Sequence, residues 1–366
     1  MRSTTPLLEV RNLSKQFPIR LRSGKKGFVS AVDRVSFAVA PGTTMGIVGE
    51  SGCGKSTLAR LIVGLFQADT GEIEFERRQV DWSNRLARKH FRRHMQMIFQ
   101  DPYSSLNPRN SVGEIIAFPM QVHGWPKAEI RERTAALLEQ VGLHRNHASY
   151  YPHQLSGGQR QRVNIARALA LHPKLVICDE AVSALDKSVQ AQVLNLLKDL
   201  QQEHKLTYLF ISHDLNVVEY MSDHVAVMYL GHIVEVAGAD QLYRRPLHPY
   251  TQALLASIPK LDPDERLDGP LLAGELPSPF NPPSGCRFRT RCPQAMDICA
   301  VVRPAPREVE PSHHVACHLY GDEHGATTRP ASAAAPPAGN GHHPAETHES
   351  RGRNRTSESH AGNVRA

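Results

Sequence analysis

An apolar run at residues 43–48 of "TTMGIVGE" gives way to "GESGCGKST" and then, without a linker, to the helical period of "KSTLARLIVGL". A buried strand, a turn with three glycines and an immediate helix leave the chain little choice. The bare turn must sit at the carboxyl edge of a sheet, with a helix opening behind it. The spacing of glycine, four residues, glycine, lysine and serine from Gly49 to Thr57 is that of a phosphate-binding loop, in the strand-to-helix context the motif requires. Gly49, Gly52 and Gly54 allow backbone N–H groups to wrap phosphate oxygens, and the helix N-terminus adds unsatisfied donors and the positive end of its dipole. Ser51, Cys53 and Thr57 complete the candidate nucleotide-binding set. Lys55 is expected on the β and γ phosphates, and the Ser56 hydroxyl on Mg²⁺. Cys53 fits a small filler better than a nucleophile. The alternative for the whole segment is a structural glycine turn that carries a lysine by chance.

The neighbouring runs set the fold class. "LVICDE" and "YLFISH" are short and nearly all apolar, as strands covered on both faces of a parallel sheet must be, and they alternate with helical segments to give an α/β core. "FVSAVDRVSFAVA" and "GEIEF" have the partial alternation of antiparallel strands, and "HVAVMYLGHIVEVAG" reads as a hairpin turning at Gly231. These predict an antiparallel β layer beside the parallel sheet. "SVGEIIAFPMQVHG" and "KAEIRERTAALLEQVGL" are helical in period and predict an inserted lobe over about residues 101–170, within a nucleotide-binding domain of residues 1–260. Residues 261–320, crowded with prolines, predict a small irregular extension. Residues 321–366 hold no aromatic residue, leucine, isoleucine or methionine and predict a disordered tail, its scattered histidines part of a solvated segment.

Two further strand ends carry candidate chemistry. "LVICDE" puts Asp179 and Glu180 at a carboxyl edge, where Asp179 can hold the Mg²⁺ shell and Glu180 can polarise an attacking water; the alternative is a pair of helix-capping carboxylates. His213, after "YLFIS", can donate to a γ phosphate or orient water, or serve as a core histidine. Gln100, closing "MQMIFQ", can reach the metal or the water. The formal charge of +7 suits an anionic partner without choosing one, and no run of about 18 apolar residues exists to span a bilayer.

Four of the six cysteines, Cys286, Cys292, Cys299 and Cys317, cluster in "CRFRTRCPQAMDICAVVRPAPREVEPSHHVAC". The N-terminal segment has no apolar stretch of signal-peptide length, so the chain reads as cytoplasmic and disulfides are disfavoured. Four thiolates around a metal or cluster, and four ordinary cysteines in a loop-rich segment, both remain open.

With the phosphate loop in hand, "LSGGQ" at 155–159 narrows the reading. Together with Gln100, Leu175 to Glu180, Ser183 to Asp186 and His213 at matching separations, it makes residues 7 to about 320 resemble the ATP-binding subunits of ABC transporters. "MIFQDPYSSLNPR" and "HPYTQALLASIP" are similar to markers of dipeptide and oligopeptide importers, and "FPIRLRSGKKGFVSAVDRVSF" looks like the second of their two paired ATPases. Nickel, glutathione and other solute importers use closely similar subunits. The resemblance implies a P-loop ABC ATPase fold and hydrolysis of ATP with Mg²⁺. It also implies a head-to-tail pair with a sister ATPase, in which Ser156, Gly157, Gly158 and Gln159 of one chain cap the nucleotide of the other. Glu180, His213 and Gln100 would be catalytic. Ser56, Gln100 and Asp179 would hold Mg²⁺, and Phe17 would stack on adenine unless it is core or surface filler. Two transmembrane permease subunits and an extracytoplasmic solute-binding protein would complete the assembly at the cytoplasmic face of a bacterial inner membrane, with no nucleic acid partner. Tyr103 and Leu106 would face the permease.

Ala181 departs from the family, which usually has proline after the catalytic glutamate, so a looser corner is expected there. Some members carry a four-iron, four-sulfur cluster in an extension of this kind, and the four cysteines match that arrangement; Zn²⁺ and unligated thiols are the alternatives. Because the cysteines lie far along the chain from the phosphate loop, the core is expected to bind ATP without them. Translation or DNA-repair ATPases of the superfamily usually have fused cassettes or a long coiled coil, which this sequence lacks, and intact Lys55, Glu180 and His213 argue against a non-catalytic scaffold.

Overall fold

The computed structural model describes residues 5–20, 26–101, 103–258 and 274–321. The chain divides into two units, Met1–Glu323 and His324–Ala366. The expected tail and the expected boundary near residue 260 lie outside the described residues.

The strands are β1 (Leu8–Arg20), β2 (Lys26–Val39), β3 (Thr44–Val48), β4 (Thr70–Phe75), β5 (Arg78–Gln79), β6 (Met95–Ile98), β7 (Leu175–Asp179), β8 (Thr207–Ile211), β9 (His224–Tyr229), β10 (His232–Gly238), β11 (Arg307–Glu310) and β12 (His313–Val315). The α-helices are α1 (Lys55–Ile62), α2 (Arg85–His94), α3 (Val112–Val122), α4 (Lys127–Gln140), α5 (Gly157–Leu169), α6 (Lys187–His204), α7 (Leu215–Met221), α8 (Ala239–Arg244), α9 (Pro249–Ala256) and α10 (Ile298–Val301).

Two sheets form. The smaller runs β2–β1–β4–β5 and is antiparallel throughout. The larger runs β11–β12–β10–β9–β3–β8–β7–β6, with parallel pairing from β9 across to β6. Every residue of β3, β7 and β8 is buried, which is why these strands read as unbroken apolar runs. Successive side chains point to opposite faces. Ile47, Ile177, Leu209 and Ile211 therefore join the antiparallel sheet and α1 in one core, while Val48, Val176, Tyr208 and Phe210 pack with α3 to α7 in another.

Two features differ from expectation. The hairpin β9–β10 turns at Gly231 as anticipated, but β9 pairs parallel with β3, so the hairpin extends the large sheet instead of joining the antiparallel layer. The extension is also more regular than its proline content suggests. Its strand β12 pairs with β10 and carries β11 beyond it, so the extension completes the edge of the central sheet.

The lobe contains α3, α4 and the start of α5. A capping box closes α3, with Ser111 and Glu114 satisfying each other's backbone N–H groups. Tyr103 is 64 % exposed, with the Arg160 guanidinium 3.6 Å from its ring centre and donating to its hydroxyl. Leu106 is 2 % exposed and belongs to the lobe-side core, so it cannot face a partner. Leu106→Ala should lower the stability of the full chain by about 2–5 kcal/mol, the usual cost of a truncated core leucine. Chemical denaturation measures this, and an unchanged midpoint would return Leu106 to the surface.

Candidate nucleotide-binding and hydrolysis site

The phosphate loop is shaped by what surrounds it. Gly49 has φ of 149° and a Cβ there would lie 2.1 Å from the Met228 carbonyl oxygen; at Gly54, with φ of 109°, it would lie 2.0 Å from that of Ala31. No residue with a side chain fits either place. The loop is thus clamped between β9 and β2, and the Gly231 N–H adds a hydrogen bond to the Cys53 carbonyl at 2.8 Å. Cys53 is buried beneath the loop, where desolvation raises its thiol pKa, as expected of a filler.

Lys55 is 4 % exposed, and its ammonium donates to the Gly49 and Glu50 carbonyls at 2.7 and 3.0 Å. The loop's own oxygens hold the charge that phosphate oxygens would take. Ser56 donates to Asp179 Oδ1 at 2.8 Å, bringing the start of α1 to the end of β7 across 123 positions. Burial raises the Asp179 carboxyl pKa, while the Ser56 hydrogen bond and the Arg60 charge pull it down. A hydroxyl and a carboxylate side by side are hard oxygen donors of the kind Mg²⁺ takes.

Glu180 follows in the left-handed region, φ 51°, with its N–H bonded to the Ile211 carbonyl at 2.9 Å. This turn of the backbone aims the carboxylate at the loop. Gln100 Nε2 donates to Glu180 Oε2 at 2.8 Å, and His213 Nδ1 lies 3.4 Å from the same oxygen. Ends of β6, β7 and β8 thereby converge on one carboxylate. Ala181 is buried, and the corner is closed by the Ser183 N–H and hydroxyl on the Glu180 carbonyl, at 3.1 and 3.0 Å. Asp186 ends the turn by capping α6.

A cavity of about 540 Å³ opens over the loop and is lined by Ser51, Lys55, Ser56, Gln100, Glu180 and His213, among others. The residues at 155–159 are not among its lining. Ser156 caps α5 and exchanges hydrogen bonds with Gln159, and a Cβ on Gly158 would strike Val189 at 2.5 Å. That helix start is built for close approach but is directed elsewhere in the single chain. Phe17 also lies outside the lining, edge-on to Phe66 with ring centres 5.3 Å apart. Conversely Pro279, from the extension, lines the cavity, which no motif signalled.

The extension's cysteines are free thiols. Burial, with the mutual repulsion of their ionised forms, raises the thiol pKa of Cys286 and Cys292 and pushes that of Cys317 up to about 12. Cys299 is buried beside them, its carbonyl accepting from Cys286 N–H at 2.8 Å. The four share a neighbourhood, but among the described residues no three His, Cys, Asp or Glu side chains are arranged to hold a metal ion. The spacing of the sulfurs therefore does not fit a cluster as it stands. Among the described residues no helix is long and apolar enough to cross a membrane.

The family models for the ABC transporter and for the oligopeptide/dipeptide transporter C-terminal region match residues 32–183 and 234–299 respectively. The oligopeptide transport ATP-binding protein AppF of Bacillus subtilis (strain 168) is 52% identical over 320 residues, covering 86% of this chain and 97% of that protein. The oligopeptide transport ATP-binding protein OppF of Escherichia coli (strain K12) is 50% identical over 321 residues, covering 85% and 95%. Among solved structures, the dimeric post-hydrolysis ATP-binding cassette MJ0796 bound to ADP and Pi superposes with a TM-score of 0.56 at 27% identity, covering 63% of this chain and 98% of that one. Two matched regions at opposite ends of the described fold and relatives of nearly equal length agree: the chain belongs to the ATP-binding subunits of ABC transporters, in the oligopeptide/dipeptide transporter group.

Proposed function

We propose that this chain hydrolyses ATP to power peptide uptake through a membrane permease, as one half of a head-to-tail ATPase pair at the cytoplasmic face of a bacterial cell membrane. The observation that carries the reading is the Glu180 carboxylate, held by Gln100 and His213 at the mouth of the phosphate-loop cavity. On nucleotide entry Lys55 exchanges the Gly49 and Glu50 carbonyls for phosphate oxygens. Ser56 and Asp179, with Gln100, would hold Mg²⁺, which would supply neutralisation of phosphate charge there. Glu180 polarises the water, and the Gln100 amide and His213 ring fix the carboxylate's direction. Phe17 is the candidate for the adenine face. The helix start at Ser156 to Gln159, with Ser156 exposed and the next three residues half-buried, lies away from its own chain's cavity and suits the capping of a partner's nucleotide, and MJ0796 is a dimer in its solved form. A sister ATPase, two permease subunits and a solute-binding protein are the partners this reading requires, and the names of AppF and OppF support peptide as the cargo.

Tyr103, Phe118 and Val122 expose apolar surface on the lobe side and suit a permease helix. The cysteine group supports a finer reading as a structural ligand set for a four-iron, four-sulfur cluster, with Zn²⁺ as the alternative. The gathering of the four cysteines in one neighbourhood supports it, although their spacing would have to close.

Three outcomes test these assignments. Glu180→Gln should keep Mg-ATP affinity while lowering turnover by about 10²- to 10⁴-fold, since the amide retains hydrogen bonds but not the carboxylate's basicity; near-normal turnover removes Glu180 from catalysis. Phe118→Glu should reduce transport by the reconstituted assembly far more than ATPase activity of the chain alone, and equal losses would move the docking surface elsewhere. Anaerobically purified protein should contain about four irons and four acid-labile sulfides per chain, lost on Cys→Ser replacement at any of the four positions. Zinc without sulfide would replace the cluster but keep ligation, and a folded, metal-free extension would eliminate both.

A further inference from the structure

The loop between Cys286 and Cys292 grips the phosphate loop from below. Arg291 donates from Nη1 to Glu50 Oε2 at 2.7 Å and from Nη2 to Oε1 at 3.1 Å, a two-pronged pair in which the arginine side chain is 5 % exposed. Glu50 sits inside the phosphate loop, directly after Gly49. Its N–H donates to the Tyr250 hydroxyl at 2.9 Å, and its carbonyl accepts from the Lys55 ammonium. Both sides of that residue are therefore fixed, its side chain by the extension and its backbone N–H by α9.

A second arm leaves the same short loop. Arg287 donates to the Leu230 carbonyl, and to Asp33 Oδ2 at 2.6 Å. Leu230 precedes Gly231, whose N–H holds the Cys53 carbonyl. Between the two arms Phe288 is buried against Tyr229, Tyr250 and His248, with ring centres 5.3 to 5.7 Å apart. The phosphate loop is thus held at Glu50 and, through one turn, at Cys53.

A planar guanidinium matches a carboxylate with two parallel hydrogen bonds, which fixes direction as well as distance. Removing one member of a buried pair leaves the other charge without a partner, and that charge then seeks water or a new counter-ion. The Lys55 ammonium already bonds the Glu50 carbonyl, which places a cation on the same residue. A freed Glu50 carboxylate would compete with phosphate for that ammonium and disturb the peptide plane beside the cradle.

We propose that Arg291 is a positioning residue for the nucleotide: through Glu50 it holds the phosphate loop in its phosphate-receiving form, so that the extension sets the affinity of the site for ATP. This rests on the reading of the cavity as the ATP site.

The test uses the full-length chain, Mg-ATP as the probe, and four variants: Arg291→Met, Arg291→Lys, Glu50→Gln and the double change Arg291→Met with Glu50→Gln. Calorimetric affinity and steady-state ATPase constants are measured, with thermal unfolding alongside. Arg291→Met should raise Kd and KM for ATP about tenfold, the scale of one charged hydrogen-bonding partner lost, with kcat at saturating ATP within about twofold. Arg291→Lys should fall between, since an ammonium supplies no fork. The double variant should bind better than Arg291→Met alone, because the competing carboxylate is gone. Arg289→Met, whose guanidinium bonds Ser284 within the extension, is the control and should bind as the unaltered chain does.

If Arg291→Met does not fold, Arg291→Lys and the double variant carry the decision by the same Kd comparison. A lower unfolding temperature with unchanged Kd overturns the proposal and leaves a purely structural pair. Absence of ATP binding by the unaltered chain would instead overturn the assignment of the cavity.

Discussion

Two peptide groups with no room for a side chain govern this molecule. Gly49 and Gly54 press their α-carbons against carbonyl oxygens of β9 and β2, strands that belong to different sheets. The phosphate loop is therefore a joint as well as a cradle, and both sheets must be in register for its N–H groups to point outward together. The parallel strand order then decides which other residues meet it. β3 lies between β8 and β9, and β7 and β6 follow β8, so the ends carrying His213, Glu180 and Gln100 open on the same edge as the loop.

Much of that arrangement was legible in the residues. The strands bearing Asp179 and His213 are continuous apolar runs because helices or sheet cover both faces, and continuous runs that end in polar residues announce a carboxyl edge. The Ser56–Asp179 and Gln100–Glu180 contacts follow from the same logic. Other features were not legible. Leu106 lies in a polar, proline-flanked segment and looks like a surface residue, yet it fills the lobe core. Phe17 carries no local signal that separates packing on Phe66 from contact with a base. Arg291 and Glu50 are 241 positions apart, and either alone is an ordinary surface charge on paper. Contacts between distant segments bring them together, among them Arg287 on Asp33 and Phe288 on Tyr229, and such contacts have no period to read.

The site divides labour between what is rigid and what is exchangeable. Backbone hydrogen bonds and excluded side chains set the cradle. The Lys55 ammonium rests on the Gly49 and Glu50 carbonyls, weaker partners than phosphate, and on the proposed reading it is handed over when phosphate arrives. Glu180 is held in a left-handed turn that costs backbone energy, a cost supported by its N–H bond to β8 and the closed corner at Ala181. In place of the family's proline, the corner is tightened by Ser183.

The docking of β12 on β10 has a consequence for modularity. A strand at the rim of a sheet offers a row of open amide and carbonyl groups to any passing chain, and proteins normally hide or disrupt such rims. Here the rim of the ATPase sheet is occupied by a segment from beyond residue 300. An ATPase cut back to its family-common portion would present β10 bare, inviting intermolecular sheet growth. The extension thus covers the edge of β10 and leaves the short, charged β11 as the rim of the sheet.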